Sequence, residues 1–406
     1  MTSTSKYISY RETGSFSPLV LDYIEKNPML YSLPLLTPDL SGLKKAMEQR
    51  EQFATNRTVL VSHLRKQYEG LVVDQRVSEN IERLLLSSTF TITTAHQNNL
   101  FTGPLYFFYK ILHAIRLANY CKEQFPDQDF VPVYYIGSED ADIEELNHIH
   151  VGAVTHQWNT SQQGAVGRMK VDQDLLALLQ QVEGEWGVLP HGKEWVDLLK
   201  ESYQENDTMA RATFRLVNKL LGRFGIVVLD ADATALKELL KPVCSFDLEA
   251  GQTEAVLNPA FNQMKEWGYS LQAFVRPVNL FYLKEGLRQR IEKKEDNWHV
   301  VGTMEQFNKQ QLKQELDQHP DRFSPNVILR GLYQSILLPD IAFIGGGSEV
   351  AYWIPLLPLF QKMGIPFPVL VLRNSFLLVS DEQSAKLNKL GLVAEQLFHP
   401  LGELVK

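Results

Sequence analysis

A short polar run follows the first strongly β-prone segment and contains groups that could contact a charged ligand. His96, Gln97 and Asn98 stand directly after that segment, and Thr102 and Gly103 follow them. An imidazole there could stabilise developing phosphoryl charge or carry a proton, while the amides supply neutral donors. A structural or merely polar role for the histidine is the open alternative.

A dense acidic run provides the second set of candidate groups. Its carboxylates belong to Glu139, Asp140, Asp142, Glu144 and Glu145. Their mutual repulsion must be relieved by water, a cation or a cationic part of a ligand, and a bound amine is one such group. Asp140 and Asp142 are the candidates for gripping an amine or acting as general base, whereas Glu144 and Glu145 are expected to complement the dipole at a helix start.

Two further polar residues follow the acidic run at helical spacing. Asn147 and His148 could face the same crevice, where Glu139 would be an additional ligand contact. A histidine beside a strand end is often satisfied structurally, so this assignment also has a structural alternative.

A glycine run later in the chain could bind an anion. Gly345, Gly346 and Gly347 allow the backbone to approach a ligand closely, and Ser348 and Glu349 complete the predicted loop before the next helix. A helix start presents unpaired amides and about half a positive charge, which suits a phosphate or carboxylate. The spacing matches neither the dinucleotide fingerprint nor the phosphate loop. A tight turn that needs glycine dihedrals explains the run equally well.

Two arginines, Arg330 and Arg373, each end an apolar run. A guanidinium can hold a carboxylate or phosphate through two parallel hydrogen bonds, so both are candidate ligand contacts. Either could instead pair with a neighbouring acid.

The hydrophobic pattern supplies a common scaffold for these groups. Strands are predicted over 90–94 and 131–136, with a helix between them that Thr102 would cap and that keeps one side apolar over 106–117. Such a βαβ unit forces parallel pairing and places both polar loops at the carboxyl edge of the sheet. Ligands of open α/β sheets bind at that edge.

The same reading divides the chain into a core and insertions. Strands at 226–229, 341–344 and 369–372 are predicted to rejoin the sheet, a long helical pattern covers 43–68, a strand covers 280–283 and a charged helix covers 305–318. The predicted segments are 1–88 (helical, packed on the core), 89–150 (first half of the core), 151–222 (helical insertion), 223–244 (core strand and helix), 245–325 (second insertion) and 326–406 (second half of the core).

Composition excludes several classes of protein. The net charge of -8 argues against nucleic acid as a partner. The two cysteines, far apart in sequence, cannot form a disulfide framework or a cysteine-rich zinc site, and no histidine motif suggests a structural metal. No signal core or membrane span is recognisable, so a cytoplasmic location is expected.

Several blocks of residues, spread in order over most of the chain, form a more specific pattern. They are Thr94-Ala95-His96-Gln97, Leu100-Phe101-Thr102-Gly103-Pro104-Leu105-Tyr106, Gly137-Ser138-Glu139-Asp140-Ala141-Asp142 with Asn147-His148, Ser324-Pro325-Asn326-Val327, Arg330, Ile344-Gly345-Gly346, Glu349-Val350-Ala351-Tyr352-Trp353 and Arg373-Asn374-Ser375-Phe376. Together they resemble the cysteine-adding enzyme family of bacillithiol biosynthesis. On this resemblance Tyr352 and Asn374 join the predicted binding residues.

The resemblance implies a fold and an activity. The fold is a Rossmann-like, nucleotidyl-transferase-like core interrupted by two connecting insertions. The activity is a ligase reaction that joins L-cysteine to glucosaminyl-malate through an amide bond. Because a free carboxylate must be activated first, an ATP-derived acyl adenylate or acyl phosphate is the chemical expectation, with Mg²⁺ accompanying the nucleotide. The family continues into a coiled coil that could form a homodimer, and this chain, ending at Lys406, is expected to lack it.

Two other classes of protein stay open. A sugar-nucleotide-dependent glycosyltransferase also uses Rossmann-type units and acidic contacts to amines or hydroxyls. A non-catalytic nucleotide- or sugar-binding protein would need the same pockets without turnover.

Overall fold

Helices surround a central parallel sheet in a computed structural model, which describes residues 5–151, 154–399 and 401–404. The α-helices of this part of the chain are α1 (Pro18–Ile24), α2 (Leu40–Glu51), α3 (Arg57–Tyr68), α4 (Gln75–Arg83), α5 (Tyr106–Gln124), α6 (Ile143–Leu146), α7 (Gln173–Trp186), α8 (Gly192–Ser202), α9 (Met209–Leu221), α10 (Thr234–Lys237), α11 (Lys241–Leu248), α12 (Gln252–Glu266), α13 (Lys309–Gln318), α14 (Val327–Leu337), α15 (Gly347–Trp353), α16 (Leu357–Met363), α17 (Asp381–Lys389) and α18 (Leu401–Leu404). The strands are β1 (Thr89–Gln97), β2 (Asp129–Gly137), β3 (His148–Val151), β4 (Val154–Gln157), β5 (Val227–Asp230), β6 (Leu280–Lys284), β7 (Leu287–Lys294), β8 (Asn297–Val300), β9 (Gln306–Asn308), β10 (Phe323–Pro325), β11 (Asp340–Gly345) and β12 (Val369–Leu372).

The central sheet has the strand order β12-β11-β1-β2-β5, and every neighbouring pair is parallel. In chain order, β2 and then β5 are added on one side of β1. The last two strands, β11 and then β12, are added on its other side. This is the order of a Rossmann sheet, in which the chain reverses direction of winding between β1 and β11. The predicted α/β class with a Rossmann-like parallel core is therefore confirmed.

The first strand is longer than its sequence suggested. The sequence predicts that β1 ends at Thr94, but His96 and Gln97 still pair in register with Ile136 and Gly137 of β2. Pairing with β2 satisfies the backbone N–H and C=O groups of these residues. Their polar side chains therefore do not bond to the nearby backbone and end the strand. The polar residues thus belong to the end of the strand rather than to a loop.

Helix α5 begins later than predicted, and Thr102 does not cap it. Thr102 lies in a 3-10 turn, is buried and has a φ of 83°, whereas α5 starts at Tyr106 without a side-chain cap. Its buried face runs through Phe107, Ile111 and other residues at helical spacing, so Tyr106 and Leu112, predicted to be on the apolar side, are 37% and 42% exposed.

The long helical pattern predicted over 43–68 is two helices. Asp39 caps α2 through the Gly42 amide, and Asn56 caps α3 through the Val59 amide. The second cap starts a new helix after the break at residues 52–56, because an asparagine side chain satisfies an otherwise unpaired amide of the first turn.

The two insertions have different architectures. Residues between β2 and β5 form the β3–β4 hairpin and helices α7, α8 and α9, which enclose a separate apolar cluster around Trp158 and Leu179. Residues between α12 and α14 form an antiparallel sheet of order β10-β6-β7-β8-β9. Of those strands the sequence predicted only β6.

One predicted helix of the second insertion is shorter than expected. The charged helix predicted from residue 305 begins at Lys309 because Gln306 and Phe307 pair with β8, and Asn308 and Gln311 form a capping box.

Within the described ranges, no helix combines the length and apolarity needed to cross a membrane.

Candidate active site at the carboxyl edge of the parallel sheet

The polar turns singled out in the sequence follow three adjacent strands of the central sheet. His96 and Gln97 end β1, the acidic run follows β2, and Gly346 follows β11. Because β11, β1 and β2 are parallel neighbours, these turns lie along one edge. The winding reverses between β11 and β1, which is where Rossmann-like sheets open a crevice for ligands.

A buried lysine links the elements at the carboxyl ends of β1 and β11. The Nζ atom of Lys110 donates to the Ala95 carbonyl oxygen at 2.7 Å and lies 2.5 Å from Glu349 Oε2. The same carboxylate oxygen accepts a 2.7 Å hydrogen bond from the Gly346 amide. Lys110 therefore connects helix α5, strand β1 and the start of α15. We term His96, Tyr106, Lys110, Glu349 and Arg373 the switch-point cluster.

His96 is neutral within this cluster. Burial, together with the positive charges of Lys110 and Arg373, holds the pKa of the His96 imidazole well below its usual value. Its Nε2 atom is buried and has no hydrogen-bond partner in the described part of the chain. A neutral ring with an unused nitrogen can donate to or accept from a ligand, but its depressed pKa makes it a weak base.

Arg373 forms the outer side of the cluster. Its guanidinium lies 4.8 Å from the centre of the Tyr106 ring, and a Cβ atom built on Gly346 would lie 3.6 Å from Arg373 Nε. The absence of a side chain at Gly346 thus leaves space beside a cation. The other glycines have packing contacts: Gly345 accepts the Arg373 amide at 2.8 Å, and Gly347 faces the Phe16 ring.

The glycine loop offers fewer free amides than the sequence suggested. Glu349 already accepts from the Gly346 amide, and α15 is a helix of only seven residues. An anion at this helix start would have to displace a carboxylate that Lys110 also holds in place. Arg373 and His96 are therefore better placed than the loop amides to contact an anionic group.

A second group of polar residues surrounds Asp140 next to β1 and β2. Gln97 Nε2 donates to Asp140 Oδ2 at 2.7 Å, and Arg330 Nη2 lies 3.9 Å from the same oxygen. The Asp142 amide donates to the other oxygen at 3.3 Å. We term Gln97, Asp140, Arg288 and Arg330 the Asp140 cluster.

Asp140 is ionised at neutral pH. Burial disfavours its charged form, but Arg330, the Gln97 hydrogen bond and Arg288 outweigh burial and lower the pKa of Asp140. The side chain is therefore a strong charge partner for an ammonium group and a weak proton acceptor. Burial raises the pKa of the Tyr352 hydroxyl, on which the charges of Glu349 in one cluster and Arg330 in the other also act.

The other carboxylates of the acidic run have different surroundings. Glu139 is buried and forms an ion pair with Lys237 of α10. Asp142 is exposed, and only its amide contacts Asp140. Glu144 and Glu145 lie in the first turn of α6, as the sequence predicted.

Several residues predicted to contact a ligand have their partners outside both clusters. The buried Asn98 amide donates to Thr213 Oγ1 at 3.0 Å on the first insertion. Asn147 and His148 contact each other at the start of β3, 3.3 Å apart. Gly103, at a φ of 65°, packs against Asn99 in the turn that precedes α5. A ligand contact at these positions, and at Thr102, stays a prediction.

Asn374 is exposed beyond β12, and its amide donates to His113 Nδ1 at 3.3 Å.

No group of three or more histidine, cysteine or acidic side chains suited to a metal ion occurs within the described residues.

Three residues of the clusters, Tyr106, Lys110 and Arg288, are not among the candidate residues of the sequence, although Tyr106 belongs to one of the motif blocks. Lys110 stands at helical spacing between Phe107 and Ala114, which lie on the buried face of α5. A lysine on the apolar face of a helix was the signal in the sequence that could have identified it. Arg288 lies on β7 of the second insertion, far from Asp140 in sequence, and no local pattern marked it.

The strand order, the reversal of winding between β1 and β11 and the charged groups along that edge define a Rossmann-like α/β domain. A family model described as "Bacillithiol biosynthesis BshC, N-terminal Rossmann-like domain" matches residues 3–374. The chain belongs to the BshC family of bacillithiol biosynthesis, which confirms the resemblance drawn from its motifs.

Similar proteins in bacteria carry the name "Putative cysteine ligase BshC". The protein of Flavobacterium johnsoniae is 39% identical over 98% of this chain and 75% of the relative. That of Flavobacterium psychrophilum is 38% identical over 96% of this chain and 74% of its own length. That of Cytophaga hutchinsonii is 39% identical over 96% of this chain and 73% of its own length.

Proposed function

We propose that the protein is a cysteine ligase of bacillithiol biosynthesis that joins L-cysteine to glucosaminyl-malate through an amide bond. The name of its relatives supports the reaction class. One observation supports the assignment to this site. An ionised Asp140, held by Gln97, lies on the strand edge next to the switch-point cluster, which carries the cations Lys110 and Arg373. An amine and an activated carboxyl group need these opposite environments side by side.

The proposed roles follow from charge. The sugar amine is an ammonium ion in water, and Asp140 binds it through a charge-assisted hydrogen bond. The bound ammonium first loses one proton to give the nucleophilic amine. As the amine nitrogen attacks the cysteine carbonyl carbon, the bond from that carbon to its leaving group breaks, the leaving group departs with the electron pair, and the nitrogen loses its second proton. The depressed pKa of Asp140 favours a role in holding and orienting the amine over a role as final proton acceptor.

ATP would supply the activation of the cysteine carboxylate when bound. Arg373 and the unpartnered Nε2 of His96 fit an anionic phosphate group, since one provides charge and the other a neutral hydrogen-bonding atom. Lys110 is already paired with Glu349, and so it positions the crevice wall. Mg²⁺, if it accompanies the nucleotide, would be held chiefly by the nucleotide's own phosphates.

A thiol-specific mass-spectrometric assay tests the proposal. The chain is incubated with cysteine and glucosaminyl-malate, with and without ATP and Mg²⁺, and the amide product is measured. We expect product only when ATP is present. Nucleoside diphosphate released from a sugar nucleotide without need for cysteine would instead identify a glycosyltransferase. Calorimetric binding of the substrates without turnover would identify a binding protein.

Substitution of Asp140 tests its role directly. Asp140→Asn keeps the shape and the Gln97 contact but removes the charge, so product formation is expected to fall by about 100-fold or more. Far-ultraviolet circular dichroism and thermal unfolding should match those of the parent chain. Glu144→Gln, a neutralised carboxylate of the first turn of α6, is the matched control and should retain activity. Full activity of the Asp140→Asn protein would contradict the role.

A further inference from the structure

Arg288 of β7 is held in a fixed orientation with its terminal nitrogens unused. Its guanidinium stacks 3.9 Å from the centre of the Phe281 ring, and its Nε atom donates to Ser324 Oγ at 3.2 Å. In the described part of the chain, its Nη atoms have no hydrogen-bond acceptor and no carboxylate forms an ion pair with it. A planar guanidinium fixed in this way presents its fork to a ligand with little loss of entropy.

Arg330 lies nearby with a similar surplus of donors. Its closest carboxylate, that of Asp140, is 3.9 Å away, beyond hydrogen-bonding distance, and its side chain donates no hydrogen bond among the described residues. Strand β10 brings the two arginines together, because its Ser324 accepts from Arg288 and the chain then enters α14, which carries Arg330 in its first turn. Burial, followed by the charge of Arg330, lowers the pKa of Arg288 to about 10. Two like charges in a shielded place favour an anion between or beside them.

The acids around this pair do not supply that anion. Glu139 is committed to Lys237, and Asp232 forms a two-point ion pair with Arg168 at 2.6 and 2.7 Å. Asp140 is left as one negative charge beside two positive ones. The local excess is therefore one positive charge, placed next to a carboxylate suited to an amine.

We propose that Arg288 and Arg330 form a dicarboxylate subsite that binds the malyl group of the amine substrate. This inference rests on the proposed ligase function and adds the orientation of the substrate. The malyl group contributes two carboxylates, one for each guanidinium, and the amino group of the same molecule faces Asp140. The second insertion, through β7 and β10, thereby selects the acceptor substrate.

The single carboxylate of cysteine matches the subsite less well. It would occupy one guanidinium and leave the other unpaired. In the proposed reaction it is also the group that must be activated at its oxygen, and two guanidiniums clamped on it would oppose that chemistry.

Calorimetric titration of the complete chain tests the subsite. The probes are glucosaminyl-malate, methyl glucosaminide, which has the amine but no carboxylate, free L-malate and L-cysteine. Arg288→Met should raise the Kd for glucosaminyl-malate and for L-malate by about 10- to 100-fold, the effect of losing hydrogen bonds to a charged group. Methyl glucosaminide and cysteine should bind as before. Arg288→Lys, which keeps the charge but not the fork, should give an intermediate loss.

Arg290→Met is the matched control because Arg290 lies on the same strand and has its own partner, Glu292, 3.2 Å away. It should leave all four affinities unchanged. If Arg288→Met weakened the binding of glucosaminyl-malate and methyl glucosaminide equally, its effect would be structural. If it weakened only the binding of cysteine, the two arginines would belong to the cysteine site. Either result, or absence of malate binding to the parent chain, overturns the subsite.

The two proposals can fail separately. If no amide product forms but glucosaminyl-malate still binds in an Arg288-dependent way, the ligase function is wrong and the dicarboxylate subsite stands. If product forms and Arg288→Met leaves its KM for glucosaminyl-malate unchanged, the subsite is wrong and the ligase function stands.

Discussion

Asp230, at the end of β5, shows how one residue near the site couples to pH. Ser138 Oγ donates to its Oδ1 atom at 2.5 Å, and the Asp232 amide donates to the same atom at 3.1 Å. Burial, followed by the negative charge of Asp232, outweighs these bonds and raises the pKa of Asp230 to about 6. The folded protein thus binds a proton at Asp230 more tightly than the unfolded chain does.

The sign of the resulting pH dependence can be tested. Stability gained from this proton is fully present below the unfolded pKa, near 4, and is lost as pH rises through about 6. The free energy of unfolding of the parent chain minus that of Asp230→Asn should therefore be larger at pH 4 than at pH 7, by up to about 3 kcal/mol. Urea unfolding at stepped pH measures it. A difference that does not vary with pH would contradict the assignment.

At the scale of elements, a buried ion pair joins helix α2 to strand β11. Arg50 Nη2 donates to Asp340 Oδ1 at 2.7 Å, and Nη1 donates to the Ser335 carbonyl oxygen at 2.8 Å. Both side chains are 1% exposed or less. The pair fixes an N-terminal helix to the strand that leads into the glycine loop.

Removal of the arginine should be costly. Arg50→Ala leaves Asp340 as an unpaired buried charge, and the free energy of unfolding should fall by about 3–5 kcal/mol in urea titrations at pH 7. Arg65→Ala, which breaks an exposed pair with Glu82, is the matched control and should cost less than about 1 kcal/mol. Similar losses for the two variants would mean that the buried pair does not hold α2 in place.

At the scale of the whole molecule, both insertions meet the core at one junction beside the Asp140 cluster. Arg168 of the first insertion binds Asp232 of the core and donates to the Asp321 carbonyl oxygen of the second at 3.1 Å. Lys237 of the core pairs with Glu139 and donates to the Phe323 carbonyl oxygen at 2.9 Å. The junction positions β10, whose Ser324 orients Arg288.

Loss of Arg168 should therefore loosen both insertions together. In Arg168→Ala, amide hydrogen exchange at residues 320–325 and 165–169 should accelerate by about 10-fold or more, the effect of losing charge-assisted hydrogen bonds. Exchange in β11 and β12, on the other side of the sheet, should not change. Lys284→Ala, which breaks a pair with Glu305 inside the second insertion, should leave residues 165–169 unaffected. Exchange that rises uniformly across the chain would contradict a local junction.

The sequence alone determined the features that depend on near neighbours. The apolar runs of the parallel strands, the polar residues at their ends and the βαβ connection are local, and the right-handed crossover then places His96, Asp140 and Gly346 at one edge. The class of fold and the family motifs followed from these same residues.

Only the tertiary structure decided which side chains are available to a ligand. Asn98 turned toward α9, Glu139 paired with Lys237, and Arg288 came from another sheet. Each of these contacts joins residues far apart in the chain, and no local pattern specifies such a pairing. Element ends were decided in the same way, because pairing with β2 extended β1 through two polar residues whose own preferences favoured a turn.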